Sequence, residues 1–568
     1  MSDTTIRSRQ PSVRRLPLAA PLRLARPSDM WFKPALSVVV ATAVPDLVLL
    51  AVDRLDLVMY TMAGSLCALY GHNLPYARRA RAVAGVVVAM IIGLVASLVA
   101  ASLTGSTAVL IAVGALLAAG QKTLCDATRI GPPGPVIFTF VTSAALFAPQ
   151  RLGQVPGLLA LTLGAGVIAW LVTAGPALLR REGPERRATA RALDAAAAYL
   201  ADPGHRTRHA AAAAVHAAWQ TLLAAGRPTP VRRALERLVV HAEAALAEGT
   251  LDASPAVPAP DPGRLRAWAR ETRARGPVPT PPPAPGTSEE LFGIEAERTA
   301  RRGGSRRDAR RALLRSLAPG SPLLPIGARA LIGCALAGYA SQAAGVGRPY
   351  WAIVTAASLY QANVTLSWNR ALQRTLGNLL GVLVFAAILP VSRTGPLALI
   401  GFCLFFGFAA EALITRNYWL GSVAVTPMAL LVLEFGGTHP AGELIGDRVL
   451  DTVIGAGVGI LAAMLVTNRR AAGRLEKALA ATDLARARAV HALAAPQPAP
   501  AALDAARREL TGSLVELREA DDTAAGEWWQ RALPQEQVLA AEQAGHRTLA
   551  ATATRRGPIA RAPENGAV

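Results

Sequence analysis

The sequence predicts an all-α, polytopic membrane protein with two blocks of about six transmembrane helices and helical cytoplasmic regions. The chain has 568 residues, of which 52% are hydrophobic, yet its formal net charge is +21. Residues 34–179 and 323–467 together hold 23 charged side chains in 291 positions, whereas the other 277 residues hold 74. Apolar blocks that alternate with strongly charged regions are typical of membrane proteins with large aqueous segments. This distribution excludes a single soluble globular domain.

Twelve apolar segments are long enough, or nearly so, to cross a bilayer as helices, which takes about 17–25 residues. For the segments at 106–121 and 349–366, a re-entrant or tilted arrangement is an alternative to a full span. The predicted segments lie near 34–51, 55–71, 82–103, 106–121, 133–149 and 155–178, and near 322–345, 349–366, 375–391, 395–413, 418–436 and 446–467.

The distribution of charge divides the chain into five regions. Positive residues beside the first span favour a cytoplasmic N-terminus, so we expect a multi-pass protein of the cell membrane with both termini cytoplasmic. No short apolar region followed by a cleavage site precedes the first span, which we interpret as a retained helix. The predicted regions are a basic cytoplasmic N-terminal tail at 1–33, an N-terminal transmembrane block at 34–179, a cytoplasmic helical domain with a Pro-rich linker at 180–322, a C-terminal transmembrane block at 323–467 and a cytoplasmic helical tail at 468–568.

The two large polar regions are rich in alanine and arginine, which favours helices. Residues 253–286 are Pro-rich, and we expect them to form an extended linker. The arginines of a region tethered to a membrane suit anionic lipid headgroups better than nucleic acid, and a homo-oligomer is compatible with the sequence. The predicted helices lie at 185–201, 206–225, 231–248, 288–317, 474–495, 501–520 and 535–550.

The two membrane blocks contain similar sequence segments. Residues 60–70 read YTMAGSLCALY and residues 350–360 read YWAIVTAASLY, each with two tyrosines ten residues apart and small residues between them. In each block a basic patch and a Gly-containing apolar helix follow. The pattern favours a duplicated six-span unit, a common way to build a transport path between two related halves.

The most specific local pattern begins at Arg348-Pro349-Tyr350-Trp351-Ala352 and continues through Thr355 to Arg370 and Arg374. The two later arginines are four residues apart, so a helix places them on one face. Gly377 and Gly381 then form a GxxxG step that lets another helix approach closely. A later segment has a similar pattern of charged residues followed by glycines: Arg448 and Asp451-Thr452 precede Gly455 and Gly459.

These two segments resemble the FUSC family, the fusaric acid resistance and aromatic acid exporter proteins. The resemblance implies a multi-pass membrane protein that exports aromatic carboxylic acids, or an organic-anion channel as in a similar plant branch. It is carried by residues 325–467, whereas the N-terminal block matches mainly in layout: Val58-Met59-Tyr60-Thr61 stand where the second block has Arg348-Pro349-Tyr350-Trp351. The candidate substrate-binding residues are Tyr350, Trp351, Thr355, Arg370 and Arg374.

Arginine suits this chemistry, because its guanidinium offers paired hydrogen bonds to a carboxylate and a flat face to an aromatic ring. Each candidate also has a structural alternative. Tyr350 and Trp351 at the boundary of a span are typical interfacial anchors. Arg370 and Arg374 also suit a role in fixing topology or binding a lipid phosphate.

Acidic side chains inside apolar segments usually face a partner or water. Asp46 and Glu411 are therefore candidates for proton coupling, whereas we expect Asp451 to form a structural ion pair with Arg448 one turn away. The four cysteines have no metal-binding spacing, and we expect neither a metal site nor a cofactor. The chain has no GK[ST] phosphate loop, HExxH or GxSxG pattern, so we do not expect an enzyme.

The sequence therefore predicts a membrane transporter that exports aromatic or other organic acids, with proton coupling. Two alternatives stay open: a passive organic-anion channel, and a membrane scaffold that transports nothing and recruits partners through its basic helices.

Overall fold

The computed structural model describes fourteen stretches of the chain. They are residues 20–24, 31–148, 150–179, 182–225, 229–246, 261–274, 276–280, 318, 321, 323–361, 363–466, 470–495, 499–526 and 534–554. The regular elements of these residues are helices, as the sequence predicts. The helix expected at 288–317 lies outside the described residues.

The N-terminal half of the membrane region contains six apolar helices. Short 3₁₀ turns flank several of them, and a four-residue helix, α7 (Pro176–Leu179), ends this half. The six helices are α1 (Phe32–Ala51), α2 (Val58–Ser65, continued by a 3₁₀ turn at Leu66–Leu69), α3 (Tyr76–Leu103), α4 (Thr107–Thr128), α5 (Val136–Leu146) and α6 (Val155–Ala174).

The C-terminal half repeats the same series of lengths: long, short, long, long, short, long. Among the described residues, eight helices, four in each half, are long and apolar enough to cross a membrane, and the four shorter apolar ones are α2 and α5 with their counterparts α13 and α16. The second series is α12 (Leu324–Ala343), α13 (Tyr350–Leu359), α14 (Val364–Ser392), α15 (Pro396–Ile414), α16 (Tyr418–Glu434) and α17 (Ala441–Leu465). The polytopic helical fold is thus confirmed.

All twelve predicted segments contain a helix, but their lengths differ from the expectation in four places. The segment at 106–121 belongs to α4, a helix of 22 residues, and is not a short re-entrant element. Two segments expected as full spans are instead the short helices α2 and α5, and α16, with 17 residues, is at the lower limit of a span. The local sequence explains where two of these helices begin or end. The prolines of Gly131–Pro135 delay the start of α5, and Gly436-Gly437 follow the end of α16.

The two halves pack against each other in reciprocal pairs. Helix α1 packs on α15, and its counterpart α12 packs on α4, the counterpart of α15. Helix α13 contacts α5, and α2 contacts α16 in the same manner. Within each half, the short second helix packs on the sixth and the third packs on the fifth. These matched contacts support the duplicated unit that the paired tyrosines indicate.

Glycines allow the short helices to approach their neighbours closely. A Cβ atom added to Gly377 would lie 2.4 Å from Cβ of Ser422, and one added to Gly381 would lie 2.6 Å from Cβ of Thr426. Both contacts are on α16, so the GxxxG step of α14 does receive another helix. Gly455 of α17 similarly meets the backbone of α13. Substitution at these positions would force the helices apart.

Each half contains a break between its short second helix and its long third helix. In the first break, residues 70–75, Arg79 closes the loop by donating to the carbonyl oxygens of Gly71, His72 and Leu74 at 2.9, 2.7 and 3.1 Å. In the second break, which the structure describes at residues 360, 361 and 363, Oδ1 of Asn363 accepts a hydrogen bond from the Leu366 amide at 2.8 Å and caps α14. Capping satisfies an amide that the first turn of a helix leaves without a partner.

The central polar region consists of α8 (Gly183–Ala201), α9 (His205–Ala224), α10 (Pro230–Ala245) and α11 (Pro262–Arg273). Its core is built from alanines, leucines and Trp219. Helix α11 lies inside the stretch that the sequence predicts as an extended linker. The expectation was wrong there because Asp261 accepts from the Gly263 amide at 3.1 Å and caps the helix, and Leu265 and Trp268 are buried against the core.

The C-terminal polar region consists of α18 (Arg470–Ala494), α19 (Pro500–Ala525) and α20 (Gln535–Thr554). It packs on the central polar region, where Arg507 of α19 forms a buried ion pair of 3.2 Å with Glu243 of α10. It also contacts the start of α14, directly after the second break, because the carbonyl oxygen of Gly526 accepts from the amide and the hydroxyl of Thr365 at 3.1 and 2.9 Å. The C-terminal polar region thus bridges the central polar region and the membrane helices.

Candidate functional site

The four short helices meet between the two halves and enclose a small apolar cavity, the interface cavity. Each helix contributes to its wall, so the cavity contains matching elements of the duplicated unit. Discontinuous helices at the interface of structural repeats commonly form transport sites. The lining residues are Met59, Met62, Phe140, Val141, Ala144, Tyr350, Trp351, Ala429, Val432 and Leu433.

Tyr350 and Trp351 bring aromatic rings to this cavity. Tyr350 stacks on Phe147 with ring centroids 5.8 Å apart, and Trp351 lies 5.5 Å from Phe140. Both partners belong to the first half, in α5 or directly after it. The side chains of Tyr350 and Trp351 are therefore buried between the halves. An anchoring position at the surface of the membrane does not describe them.

Arg448 also contacts the ring of Trp351. Its guanidinium carbon lies 4.0 Å from the centroid of the tryptophan ring, the geometry of a cation–π contact. Among the described residues, Nε and Nη1 of this buried side chain have no hydrogen-bond partner. The Arg448–Trp351 contact is a feature that the sequence did not predict.

Arg448 and Asp451 do not form the expected ion pair within the described part of the chain. The Asp451 carboxylate instead accepts a hydrogen bond from the hydroxyl of Ser341 in α12. The physical reason is tertiary packing: residues three apart lie on one face of α17, but Arg448 contacts Trp351 of α13 and Asp451 contacts Ser341 of α12. A neighbouring pair was missed: Arg348 binds Asp447 at 2.9 Å and links the start of α13 to α17.

Arg370 and Arg374 converge on Tyr418, the first residue of α16. We call these three residues the arginine cluster. The guanidinium carbon of Arg370 lies 3.7 Å from the centroid of the Tyr418 ring, and Nη1 of Arg374 donates to the Tyr418 hydroxyl at 2.9 Å. Arg374 is 4% exposed, and its Nε has no partner in the described structure. Neither arginine forms an ion pair with a described acidic residue, so the cluster carries an excess of positive charge.

Thr355 differs from the other candidates in its position. It is buried, and its hydroxyl has no partner among the described residues. Its Cβ atom would lie 2.8 Å from a Cβ added to Gly455, so it packs against α17. Thr355 does not line the interface cavity. The structure therefore separates it from Tyr350 and Trp351.

Asp46 lines a second cavity, the Asp46 cavity, between α1, α2, α15 and α16. Its side chain is 1% exposed, and within the described residues neither carboxylate oxygen has a hydrogen-bond partner. The other lining residues are almost all apolar, Cys403 and Gly407 of α15 among them. Glu411 follows on the same face of α15, about 12 Å beyond Cys403 at the rise of a helix. The two carboxylates thus lie along the packed pair α1 and α15, but not together.

A short stretch of the N-terminal region lies beside the arginine cluster. The carbonyl oxygen of Pro21 accepts hydrogen bonds from Nε2 of Gln373 and Nδ2 of Asn417, at 2.7 and 2.8 Å. The carbonyl oxygen of Leu22 accepts from Nε1 of Trp419 at 3.3 Å. Carbonyl groups of the main chain make these contacts, so no side-chain pattern in the sequence could have indicated them.

Part of the chain matches a known protein family. Residues 336–462 match the family model described as fusaric acid resistance protein-like. The matched stretch runs from α12 to α17 and contains Trp351, Arg448 and the whole arginine cluster.

The chain is also 32% identical over 187 residues to a Bacillus subtilis (strain 168) protein named uncharacterized membrane protein YvaC. This similarity covers 32% of the present chain and spans only 28% of the length of that relative. No solved structure matches the chain. Within this polytopic membrane fold, residues 336–462 are therefore similar to the fusaric acid resistance protein-like family.

Proposed function

We propose that the protein is a transporter that moves aromatic or other organic acids out of the cytoplasm through the interface between its two halves. The observation that carries the proposal is the arginine cluster, two guanidinium groups on one tyrosine without a described acidic partner. A carboxylate would satisfy the unpartnered Nε of Arg374 and balance the positive charge. The family match supports membrane transport of organic compounds in general. That the substrate is an acid is part of the proposal and follows from the arginine cluster.

The interface cavity is the second feature that supports this class of substrate. Tyr350 and Trp351, with Phe140 and Phe147 across the interface, offer ring faces to a flat apolar body. Aromatic pairs add stabilisation beyond the burial of their area. A substrate with a ring at one end and a carboxylate at the other suits the interface cavity and the arginine cluster. Thr355 would contribute only through the packing of α13.

We further propose that proton coupling uses Asp46, with Glu411 as a second carboxylate along the same helix pair. A buried carboxylate in an apolar cavity without a described partner favours the neutral, protonated form. Coupling would require this group to release its proton when the cavity opens to water. The orientation that accompanies the proposal has both termini on the cytoplasmic side of the cell membrane, with the polar regions beside anionic headgroups.

Growth of a strain that lacks the gene tests the proposal. The strain should be more sensitive to at least one acid of an organic-acid panel, and the wild-type gene should restore tolerance. Arg370→Ala and Arg374→Ala should fail to restore it at normal protein levels. Arg416→Ala is the matched control, because Arg416 is an exposed arginine two residues before Tyr418. Full tolerance with both cluster variants would contradict the assigned role.

The passive channel is distinguished by its energy requirement. Wild-type flux that needs no proton gradient, and that stays at the same level in Asp46→Asn and Glu411→Gln, would favour a channel over a coupled exporter. The scaffold alternative would gain if no acid in the panel produced a difference and the central polar region captured a defined protein.

A further inference from the structure

The two breaks of the duplicated unit are stabilised in different ways. The first break is closed from within its own half, by the side chain of Arg79 and three carbonyl groups. The second break receives the end of α19, a helix far away in the sequence. The corresponding elements of the two halves therefore differ in one respect: only the second depends on the C-terminal polar region among the contacts described.

The contact at the second break is specific in its geometry. The Gly526 carbonyl accepts two hydrogen bonds from Thr365, and Nδ2 of Asn363 donates to the Asp522 carbonyl at 3.4 Å. The surfaces also fit closely, since a Cβ atom at Gly526 would lie 2.2 Å from Nδ2 of Asn363. Only glycine can occupy this position without displacement. Asn363 is at the same time the cap of α14.

The second break lies directly after α13, the helix that carries Tyr350 and Trp351 to the interface cavity. All ten residues of α13 are buried, and its last residue is separated from Asn363 by three positions. A shift of the break would therefore move α13 against its tightly packed neighbours. On its far side α19 is fixed to the central polar region through Arg507 and Glu243. These contacts link the central polar region, through α19, to residues that lie directly after α13.

We propose that the second break is a docking site for the chain's own C-terminal polar region, and that docking holds α13 in its present position. Undocking would release α13 and alter the interface cavity. The first break, closed by Arg79, would remain in place as the static counterpart. The inference does not depend on the identity of the substrate, so it can fail or succeed separately from the proposed function.

Hydrogen exchange of the full-length protein in nanodiscs tests the proposal. Gly526→Ala should accelerate amide exchange around residues 350–363 by about tenfold, the effect expected when hydrogen bonds of ordinary strength are lost. Peptides around residues 66–75, across the first break, should exchange as in the wild type and serve as the internal reference. Gly473→Ala is the matched control, because a Cβ at Gly473 of α18 would meet no atom within 4 Å.

Unchanged exchange around residues 350–363 in Gly526→Ala would overturn the proposal. Equal acceleration at both breaks would overturn it as well, because it would indicate general loosening in place of local release. If Gly526→Ala does not accumulate, Thr365→Val is the second variant, since it removes one hydroxyl without adding bulk at the contact. It should accelerate exchange in the same peptides, and unchanged exchange there would equally contradict docking.

Discussion

Nη1 of Arg374 donates a hydrogen bond of 2.9 Å to the hydroxyl of Tyr418, while Arg370 covers the face of the same ring. The tyrosine thus organises two guanidinium groups at the start of α16. Because a phenol hydroxyl is neutral, this contact fixes the geometry of Arg374 without neutralising it. The arrangement leaves positive charge for an anion, which is the basis of the proposed function.

Tyr418→Phe should weaken the binding of a transported acid without abolishing transport. Loss of one hydrogen bond that orients Arg374 should raise KM by about tenfold and leave the maximal rate within about twofold. Concentration-dependent flux in proteoliposomes measures both values. Arg416→Gln should leave KM unchanged, and a wild-type KM in Tyr418→Phe would argue against an orienting role for the hydroxyl.

Trp351→Ala should destabilise the fold strongly. The side chain is 2% exposed and packs between Arg448 and Phe140, so its removal should cost about 3–5 kcal/mol. Trp351→Phe retains a ring beneath the guanidinium and should cost less. Thermal unfolding in detergent compares the three proteins. Equal midpoints for the alanine variant and the wild type would show that the ring is not part of the packed core.

Gly377→Ala should separate α14 from α16. The added Cβ would lie 2.4 Å from the Ser422 Cβ and 2.5 Å from the Trp419 carbonyl oxygen, an overlap that should cost about 1–3 kcal/mol. Gly401→Ala in α15 is the control, since no atom lies within 4 Å of its added Cβ. Its stability should be equal or higher, because alanine favours helix. The prediction fails if the two variants unfold at the same temperature.

Asp46→Asn should uncouple flux from the proton gradient and leave the fold intact. The amide mimics the protonated carboxyl group, so the variant should keep the stability of the wild type while losing its response to an imposed pH difference. Flux measured with and without that difference tests the change. Uphill transport by Asp46→Asn would remove this residue from the coupling mechanism.

His72 in the first break should make stability dependent on pH. Burial, together with the nearby Arg79, lowers the pKa of His72 from 6.5 to about 4. The unfolded chain therefore binds the proton more readily, so the stabilisation is complete above about pH 6.5 and is lost as the pH falls toward 4. His72→Asn should lose less stability than the wild type between pH 7 and pH 4.5. Identical losses of stability for the wild type and His72→Asn in a thermal-shift measurement would contradict this contribution of His72.

Composition and periodicity were sufficient to predict the membrane fold, the twelve apolar segments and the duplication. The same pattern could not distinguish a full span from a short buried helix, because both are apolar on all sides. The short length of α5 depends on Pro135, which directly precedes its first residue. The close packing of α14 on α16 depends on Gly377 and Gly381. These local signals were present in the sequence.

The candidate site was only partly predictable. Spacing placed Arg370 and Arg374 on one face, but Tyr418 is more than 40 positions away and joins them only through the packing of α16 on α14. Spacing also favoured an Arg448–Asp451 pair, whereas tertiary contacts direct these side chains to Trp351 and Ser341. The contacts of Pro21 and Gly526 use main-chain carbonyls, which every residue possesses, so residue type carried no signal for them.

The most direct test of the central claim is flux through purified protein in proteoliposomes, with the acid identified by the growth screen. We expect saturable flux by the wild type and by Arg416→Gln, and a loss of at least about tenfold in Arg374→Gln, because a charged hydrogen-bond donor to the carboxylate is removed. Equal flux in all three proteins would contradict the role of the arginine cluster in binding the transported anion.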